Sequence, residues 1–373
     1  MTHFSEFDHQ CMTRAIALAQ RGVYSTRPNP NVGCVIVKNQ TVLATGFHLR
    51  AGCGHAEVNA LEKLSLAQTE GATVYVTLEP CSHAGRTGSC ALALIKAKVA
   101  RVVCAMQDPN PLVAGRGFAL LENAAITVEN GLMQRQATAL NSGYVKRMAA
   151  QLPWVNIKLA MSLDGRTAMQ SGESQWITGP AARSDVQELR ARSCAIITGI
   201  GSIEADDSSL MVRPNELAIN TDQFDLALIE ELQPLRVVLD SNDRLADSAK
   251  ILQQSGRTLR VIAQPLGANS CTDTISLPGE DGRIDLSALL HYLAVQEHCN
   301  SVLVEAGATL AGSFVEQQLF DQLIVYMAPT ILGAKARPLL AIEKDNMVEQ
   351  QRLKLVEQCI VGEDIRLTYH LRK

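Results

Sequence analysis

Apolar and polar positions change period repeatedly along the chain, and each change marks an element. Over residues 6–21, Cys11, Ala15, Leu18 and Ala19 fall near one face of a helix. A turn-rich stretch runs from Ser25 to Asn31 and holds Pro28 and Pro30. Residues 32–37 and 42–47 are short apolar runs flanking a turn at Asn39-Gln40, which predicts a hairpin. After His55 the pattern Ala-Glu-Val-Asn-Ala-Leu-Glu-Lys-Leu is helical, and residues 73–78 are β-branched and strand-like. A polar loop with glycines leads to a helix near 90–98, a strand at 101–106, a helix at 117–123 and a short strand at 126–128. One helix over 132–148 is expected to close this segment.

Pro153 marks a boundary, and a second alternating series follows. Strands are expected at 155–161, 195–198, 236–240, 260–263, 302–305 and 323–327. Helices are expected at 180–193, with Pro180 near its first turn, and at 286–296 and 309–319. Residues 364–372 read as a last edge strand. Two α/β domains are therefore expected, 1–148 and 153–373, with a linker at 147–153. No internal repeat is visible.

Composition narrows the function classes. The 373 residues are 47% hydrophobic and 19% charged, which suits globular domains with sizeable cores. The net charge of −4 and aromatic content of 4% argue against a dedicated nucleic-acid binder. No 18-residue apolar run and no leader-like N-terminus are seen, so no membrane association and a cytoplasmic location are expected. The ten cysteines are scattered, unlike the framework of a small secreted domain.

Four residues carry the sharpest chemistry. His-Ala-Glu stands at 55–57, at a predicted helix start; Pro-Cys stands at 80–81, just after a predicted strand; Cys90 follows near another helix start. One His and two Cys supply three zinc ligands and leave a position for water. Glu57 lies two residues beyond a ligand and can shuttle protons without binding metal. His-x-Glu alone is commonplace and isolated cysteines usually pack; the ordered combination points to a zinc deaminase site. A structural zinc would need a fourth ligand, for which Cys53 and His83 are the candidates. The general pattern Pro-Cys-x-x-Cys is not kept, because eight residues separate Cys81 from Cys90. His83, Arg86 and Thr87 in that insert suit recognition of a polar substrate.

The chain resembles the bifunctional riboflavin-biosynthesis deaminase/reductase family. The resemblance is carried by Arg-Pro-Asn-Pro-Asn-Val-Gly-Cys at 27–34, Gly46-Phe47-His48, His-Ala-Glu-Val-Asn-Ala-Leu at 55–61 and Leu-Glu-Pro-Cys-Ser-His-Ala-Gly-Arg-Thr-Gly-Ser-Cys at 78–90. It continues through Lys158, Ser-Leu-Asp-Gly-Arg at 162–166, Ser-Gly-Glu-Ser-Gln-Trp-Ile-Thr at 171–178, Ala-Asp-Asp at 205–207 and Val-Glu-Ala-Gly at 304–307. Two departures stand out: Gly88-Ser89 where relatives often have Pro-Pro, and Ser208-Ser209 where Pro often follows the two aspartates.

The resemblance implies a cytidine-deaminase-like three-layer N-terminal domain and a dihydrofolate-reductase-like C-terminal domain. It implies zinc held by His55, Cys81 and Cys90, Glu57 as proton shuttle, and pyrimidine contacts from Asn29, His48 and His83. The first domain would exchange an amino group of a diaminopyrimidinone ribosyl phosphate for a carbonyl. The second would reduce ribosyl to ribityl with NADPH. A small-molecule substrate, no nucleic acid and a homo-oligomer go with this reading.

In the second half no Gly-x-Gly-x-x-Gly follows a strand, so a Rossmann site is not supported. Small residues at Gly307, Ala308, Thr309, Leu310, Ala311, Gly312 and Ser313 could leave backbone N–H groups open to phosphate at a helix start. By themselves they equally suit tight packing; the resemblance places NADPH there and near Ala160, Trp176, Ser202, Asp206 and Ser241. It assigns substrate contacts to Ser174, Arg190, Leu210, Arg213 and Glu305. Without it, Arg190 reads as a helix-surface residue and Arg213 as a loop ion pair. Lys158 sits inside an apolar strand, where a lysine needs a partner, and is assigned to the phosphoribosyl part. Asp206 and Glu305 are candidates for a proton donor. The competing readings are an RNA-acting base deaminase and a scaffold with structural zinc.

Overall fold

The computed structural model describes residues 4–82, 88–111, 113–220, 223–266 and 273–372. They form two compact units, Met1–Gln151 and Leu152–Lys373.

In chain order the first unit contains α1 (Glu6–Gln20), β1 (Gly33–Lys38), β2 (Thr41–Phe47), α2 (Ala56–Leu61), α3 (Leu66–Thr69) and β3 (Thr73–Val76). There follow α4 (Cys90–Lys96), β4 (Arg101–Cys104), α5 (Arg116–Asn123), β5 (Thr127–Asn130), α6 (Gln134–Leu140) and α7 (Ser142–Ala150). The sheet order is β2-β1-β3-β4-β5. β1 pairs antiparallel with β2 and β3, whereas β3, β4 and β5 run parallel. Alternation along the strands makes two cores. Cys34, Ile36, Val74, Val76 and Val102 pack with Ala60, Leu94 and Leu121 on one face. Val35, Val37, Tyr75 and Val103 pack with Met12, Ala137 and Tyr144 on the other. The period of two in the strands thus produces three layers, helices over both faces.

α1 is fastened at its start. Ser5 and Asp8 form a capping box, and the buried Asp8 carboxylate also accepts from Tyr75 Oη at 2.6 Å and from Arg101 at 2.7 and 3.3 Å. Arg101 in turn meets Glu129, so one carboxylate ties α1 across β3, β4 and β5. The single helix expected over 132–148 is two helices. Asn141 breaks it with φ −116°, because its side chain leaves the helix to bind the backbone of Asn31, accepting at 2.7 Å and donating at 2.9 Å.

The second unit opens with β6 (Trp154–Ser162), β7 (Arg166–Ala168), α8 (Pro180–Arg192), β8 (Ala195–Gly199), α9 (Ile200–Asp206), α10 (Leu226–Glu231) and β9 (Leu235–Leu239). It continues with α11 (Lys250–Gln253), β10 (Thr258–Ile262), β11 (Thr274–Ser276), α12 (Leu286–Val295), β12 (Ser301–Glu305), α13 (Ala308–Glu316), β13 (Gln322–Ala328), β14 (Arg337–Pro338), β15 (Leu353–Val361) and β16 (Asp364–Leu371). Among the described residues the main sheet runs β11-β10-β9-β8-β12-β6-β13-β16-β15. It is parallel from β11 to β13, and an antiparallel hairpin finishes it. β16 is therefore not the edge expected of residues 364–372; β15 lies outside it. The alternation of β15 is hard to read because most of its residues are exposed. Strand side chains such as Ile157, Ile197, Val237 and Val304 pack with Leu289 of α12 and Phe314 of α13. The opposite face packs Ile196 and Val238 under α9 and α11, and Ile324 and Tyr326 under α8. Each fully buried aliphatic contributes about 1.5–3 kcal/mol, so these layers are the main stabilising term of each unit.

Candidate active sites and family

His55 is the N-cap of α2, which presses on β2 at Gly46; a Cβ there would come within 2.2 Å of the Ala56 carbonyl. That close approach fixes the helix start and turns His55 toward the loop after β3. Cys81 lies on this loop, and α4 begins at Cys90. The Cys81 carbonyl accepts from Ala91 N at 3.1 Å and Ser89 Oγ at 2.9 Å, while Cys90 N reaches Cys81 Sγ at 3.3 Å. His55 Nδ1 stands 3.6 Å from Cys81 Sγ and 3.3 Å from Cys90 Sγ, and the three donor atoms lie within 4.8 Å of one another. Zinc bonds of about 2.05 Å to nitrogen and 2.3 Å to sulfur at tetrahedral angles would separate N from S by about 3.6 Å. The soft donor set and its spacing fit zinc. Cys53 is exposed and outside this cluster.

Glu57 is buried in the first turn of α2, and burial pushes its carboxyl up to about 7. Cys81 is pulled down to about 4, chiefly by the hydrogen bond with Cys90 and then by His55; Cys90 is pushed up as its partner in that proton. A proton-exchanging carboxyl thus stands beside a thiol–thiolate pair and an imidazole.

His48 packs edge-on against His55 at 5.2 Å. Its Nδ1 is 3.1 Å from the Gly54 carbonyl, which can only accept, so Nδ1 carries the proton. Its Nε2 then accepts from Asn29 Nδ2 at 3.0 Å. Burial also lowers the His48 pKa, in keeping with a neutral ring. The structure therefore joins the predicted residues Asn29 and His48 in one hydrogen-bonded pair. His83, Arg86 and Thr87 lie outside the described residues.

The second unit holds a cavity of about 2150 Å³ at the C-terminal ends of its parallel strands. A pocket for one small ligand is about 300–1,000 Å³, so there is room for two molecules. Ala160, Trp176, Ser202, Asp206 and Ser241 line it, as do Gly307, Ala308, Thr309, Leu310 and Ser313. Ala311 and Gly312 do not: they are buried, Ala311 in the core beside Phe314. A helix takes every third and fourth residue inward, so a run of seven cannot all face the cavity. The first N–H groups of α13 have no partner within the helix.

Lys158, Ser174, Arg190, Leu210, Arg213 and Glu305 also line the cavity. Lys158 and Glu305 stand side by side in register on β6 and β12. Arg190 is not a surface residue. It grips both Glu305 oxygens at 2.5 and 2.9 Å and donates to the Met211 carbonyl. Although burial opposes ionisation, Arg190 and then Lys158 hold the Glu305 carboxyl below its usual range. Burial lowers Lys158 in the same cluster. Arg213 makes the loop ion pair, at 2.6 Å to Glu216. Trp176 is 70% exposed, with the Arg183 guanidinium 4.6 Å from its ring centre, and both residues line the cavity.

Two family models match the chain. Residues 5–106 match the cytidine and deoxycytidylate deaminase zinc-binding region, and residues 153–367 match the RibD C-terminal domain. The riboflavin biosynthesis protein RibD of Escherichia coli (strain K12) is 48% identical over 96% of this chain and 98% of its own. That of Haemophilus influenzae is 44% identical over 99% of each. The chain belongs to the RibD family. Its structure follows the same fold: Acinetobacter baumannii RibD superposes with a TM-score of 0.89 at 46% identity, over 99% of both chains. A Thermotoga maritima diaminohydroxyphosphoribosylaminopyrimidine deaminase/5-amino-6-(5-phosphoribosylamino)uracil reductase gives 0.85 at 27% identity, over 98% and 99%. The family combines a deaminase domain with a reductase domain in riboflavin biosynthesis, and both domains are present here. Among the described residues no helix is long and apolar enough to cross a membrane.

Two residues outside the predicted set also hold these sites. Asn59 donates to the carbonyls of Phe47 and Gly54 at 2.8 and 3.0 Å, fixing the residue before His55. It sits within the quoted 55–61 motif, where its asparagine at a helical position was the available signal. Arg183 beside Trp176 gave none.

Proposed function

We propose that the chain catalyses two successive steps of one pathway. The first is hydrolytic deamination of 2,5-diamino-6-(5-phosphoribosylamino)pyrimidin-4(3H)-one to 5-amino-6-(5-phosphoribosylamino)uracil. The second is NADPH reduction of the ribosyl group to ribityl. The observation that carries the reading is the buried Glu57 carboxyl beside a converging His–Cys–Cys set, in a chain whose other unit has a two-ligand cavity.

His55, Cys81 and Cys90 would hold zinc, which supplies a Lewis acid that makes water acidic near neutrality. Glu57, with its carboxyl raised to about 7, accepts one proton from water and delivers it to the ring nitrogen, then carries the second proton, from the newly added hydroxyl, to the departing amine, which leaves as ammonia as the carbonyl forms. Asn29, its amide oriented by His48, presents its oxygen to N–H groups of the ring, and His83 is assigned to the same pyrimidine. In the reductase unit the first N–H groups of α13 and the Trp176 side chain would hold and orient NADPH, which would supply the hydride. Lys158, Arg190 and Glu305 form a fixed charged floor for the phosphoribosyl part. Arg190 and Arg213 already grip carboxylates, so a phosphate reaches their remaining N–H edges or displaces Glu216 from the exposed pair. Since Arg190 keeps both Glu305 oxygens engaged, Glu305 serves here as an orienting charge, and the exposed Asp206 is left as the proton-donor candidate of the two.

The test is a coupled assay with the diaminopyrimidinone ribosyl phosphate, following ammonia release and NADPH absorbance. Both should change in wild type. A chain that releases no ammonia, or never consumes NADPH when given deaminated substrate, overturns the corresponding step.

A further inference from the structure

One buried carboxylate of the first unit has no part in these steps. Glu79 is 4% exposed and lies between β3 and Cys81. Its backbone N–H donates to the Met106 carbonyl at 3.0 Å. Its side chain accepts three backbone N–H groups: Asp108 at 3.1 Å and Gly115 at 3.0 Å on one oxygen, Gly117 at 2.9 Å on the other. Gly117 lies so close to the Pro80 carbonyl that a Cβ would come within 2.0 Å of it. The segment 115–117 is thus locked along 79–80, one peptide before Cys81. On its far side Cys81 is held by Ala91 N and Ser89 Oγ.

We propose that Glu79 is a positioning residue of the metal site, fixing the backbone that sets Cys81 Sγ opposite Cys90 and His55. This rests on the reading above that those three residues bind zinc. Three converging donors require an acceptor with several lone pairs and no hydrogen of its own, which a carboxylate is. Glutamine keeps the size but turns an NH₂ toward at least one N–H, which loosens the clamp without touching a ligand.

The experiment uses the full chain as wild type, Glu79→Gln and Glu79→Asp. Zinc affinity is measured by competition with a chromogenic chelator, and ligand geometry by the absorption spectrum of the cobalt-substituted protein. Hydrogen exchange over 90–104 and NADPH consumption on deaminated substrate report the fold of each unit. Glu79→Gln should bind zinc about 10–100-fold more weakly. Its cobalt bands should shift, with exchange and reduction unchanged, and Glu79→Asp should lie between it and wild type. Affinity and spectrum equal to wild type overturn the proposal, as does loss of protection over 90–104, which would make Glu79 a folding residue. If Glu79→Gln does not accumulate, Glu79→Asp is read by the same criteria. Wild type without zinc at the triad overturns the zinc reading itself, and with it this proposal, before any variant is compared.

Discussion

Glu57 and Asp8 are both buried carboxyls, yet burial leads them to opposite states. Glu57 is pushed up to about 7 because burial outweighs what stabilises its charge. Replacing it by glutamine keeps the volume and removes the exchangeable proton. Ammonia release should fall by about 10²–10⁴-fold, with one zinc per chain retained by metal analysis and NADPH consumption on deaminated substrate unaffected. Unchanged ammonia release would remove Glu57 from the mechanism. At Asp8, burial would raise the pKa, but Arg101, Tyr75 and Ser5 hold it well below the usual carboxylate range. Its stabilisation is present above the unfolded value of about 3.9 and is lost as pH falls toward the folded one. Asp8→Asn should therefore cost about 2 kcal/mol at neutral pH, with the gap to wild type closing below about pH 4 in urea titrations. A gap that stays constant to pH 2 would contradict this.

Among the elements, the α6–α7 break links folding to the site. Asn141 spends its side chain on Asn31, two residues beyond Asn29. Asn141→Ala removes two hydrogen bonds worth about 1 kcal/mol each. The expected result is a loss of about 1–3 kcal/mol in stability and a higher deaminase KM, with zinc content unchanged. A variant with wild-type KM would detach Asn141 from the substrate loop. The hydrophobic period over 132–148 predicts one helix because both halves bury the same kind of face. The break is set by a partner 110 positions away, which a local window does not contain. For the same reason β15, whose apolar and polar residues are mostly exposed, leaves little periodic trace although it pairs with β16 along most of its length.

For the whole molecule, the two chemistries sit on separate compact units with separate binding sets. Dialysis against dipicolinate should abolish ammonia release and leave NADPH consumption on deaminated substrate intact; added zinc should restore the first. Loss of both activities on chelation would show that the reductase also depends on the metal. Conversely, Lys158→Met should lower reductase kcat/KM by at least about tenfold while ammonia release persists, because it leaves Glu305 and Arg190 without the third charge of their cluster. Equal loss of both activities would point to unfolding.

The sequence by itself determined what depends on residue type and short spacing. The alternation of strands and helices, the His-x-Glu at a helix start, the Pro-Cys after a strand and the small residues after β12 are all local, and local sterics and hydrogen bonding place them. The family resemblance added the expected substrate and cofactor contacts. Tertiary structure decided what depends on partners far apart in the chain. It brought His55 within reach of Cys81 and Cys90, turned Asn29 onto His48, engaged Arg190 with Glu305 and Arg213 with Glu216, and sent Ala311 and Gly312 into the core. A side chain's identity fixes which bonds it can make; only packing fixes which partner comes within 3 Å.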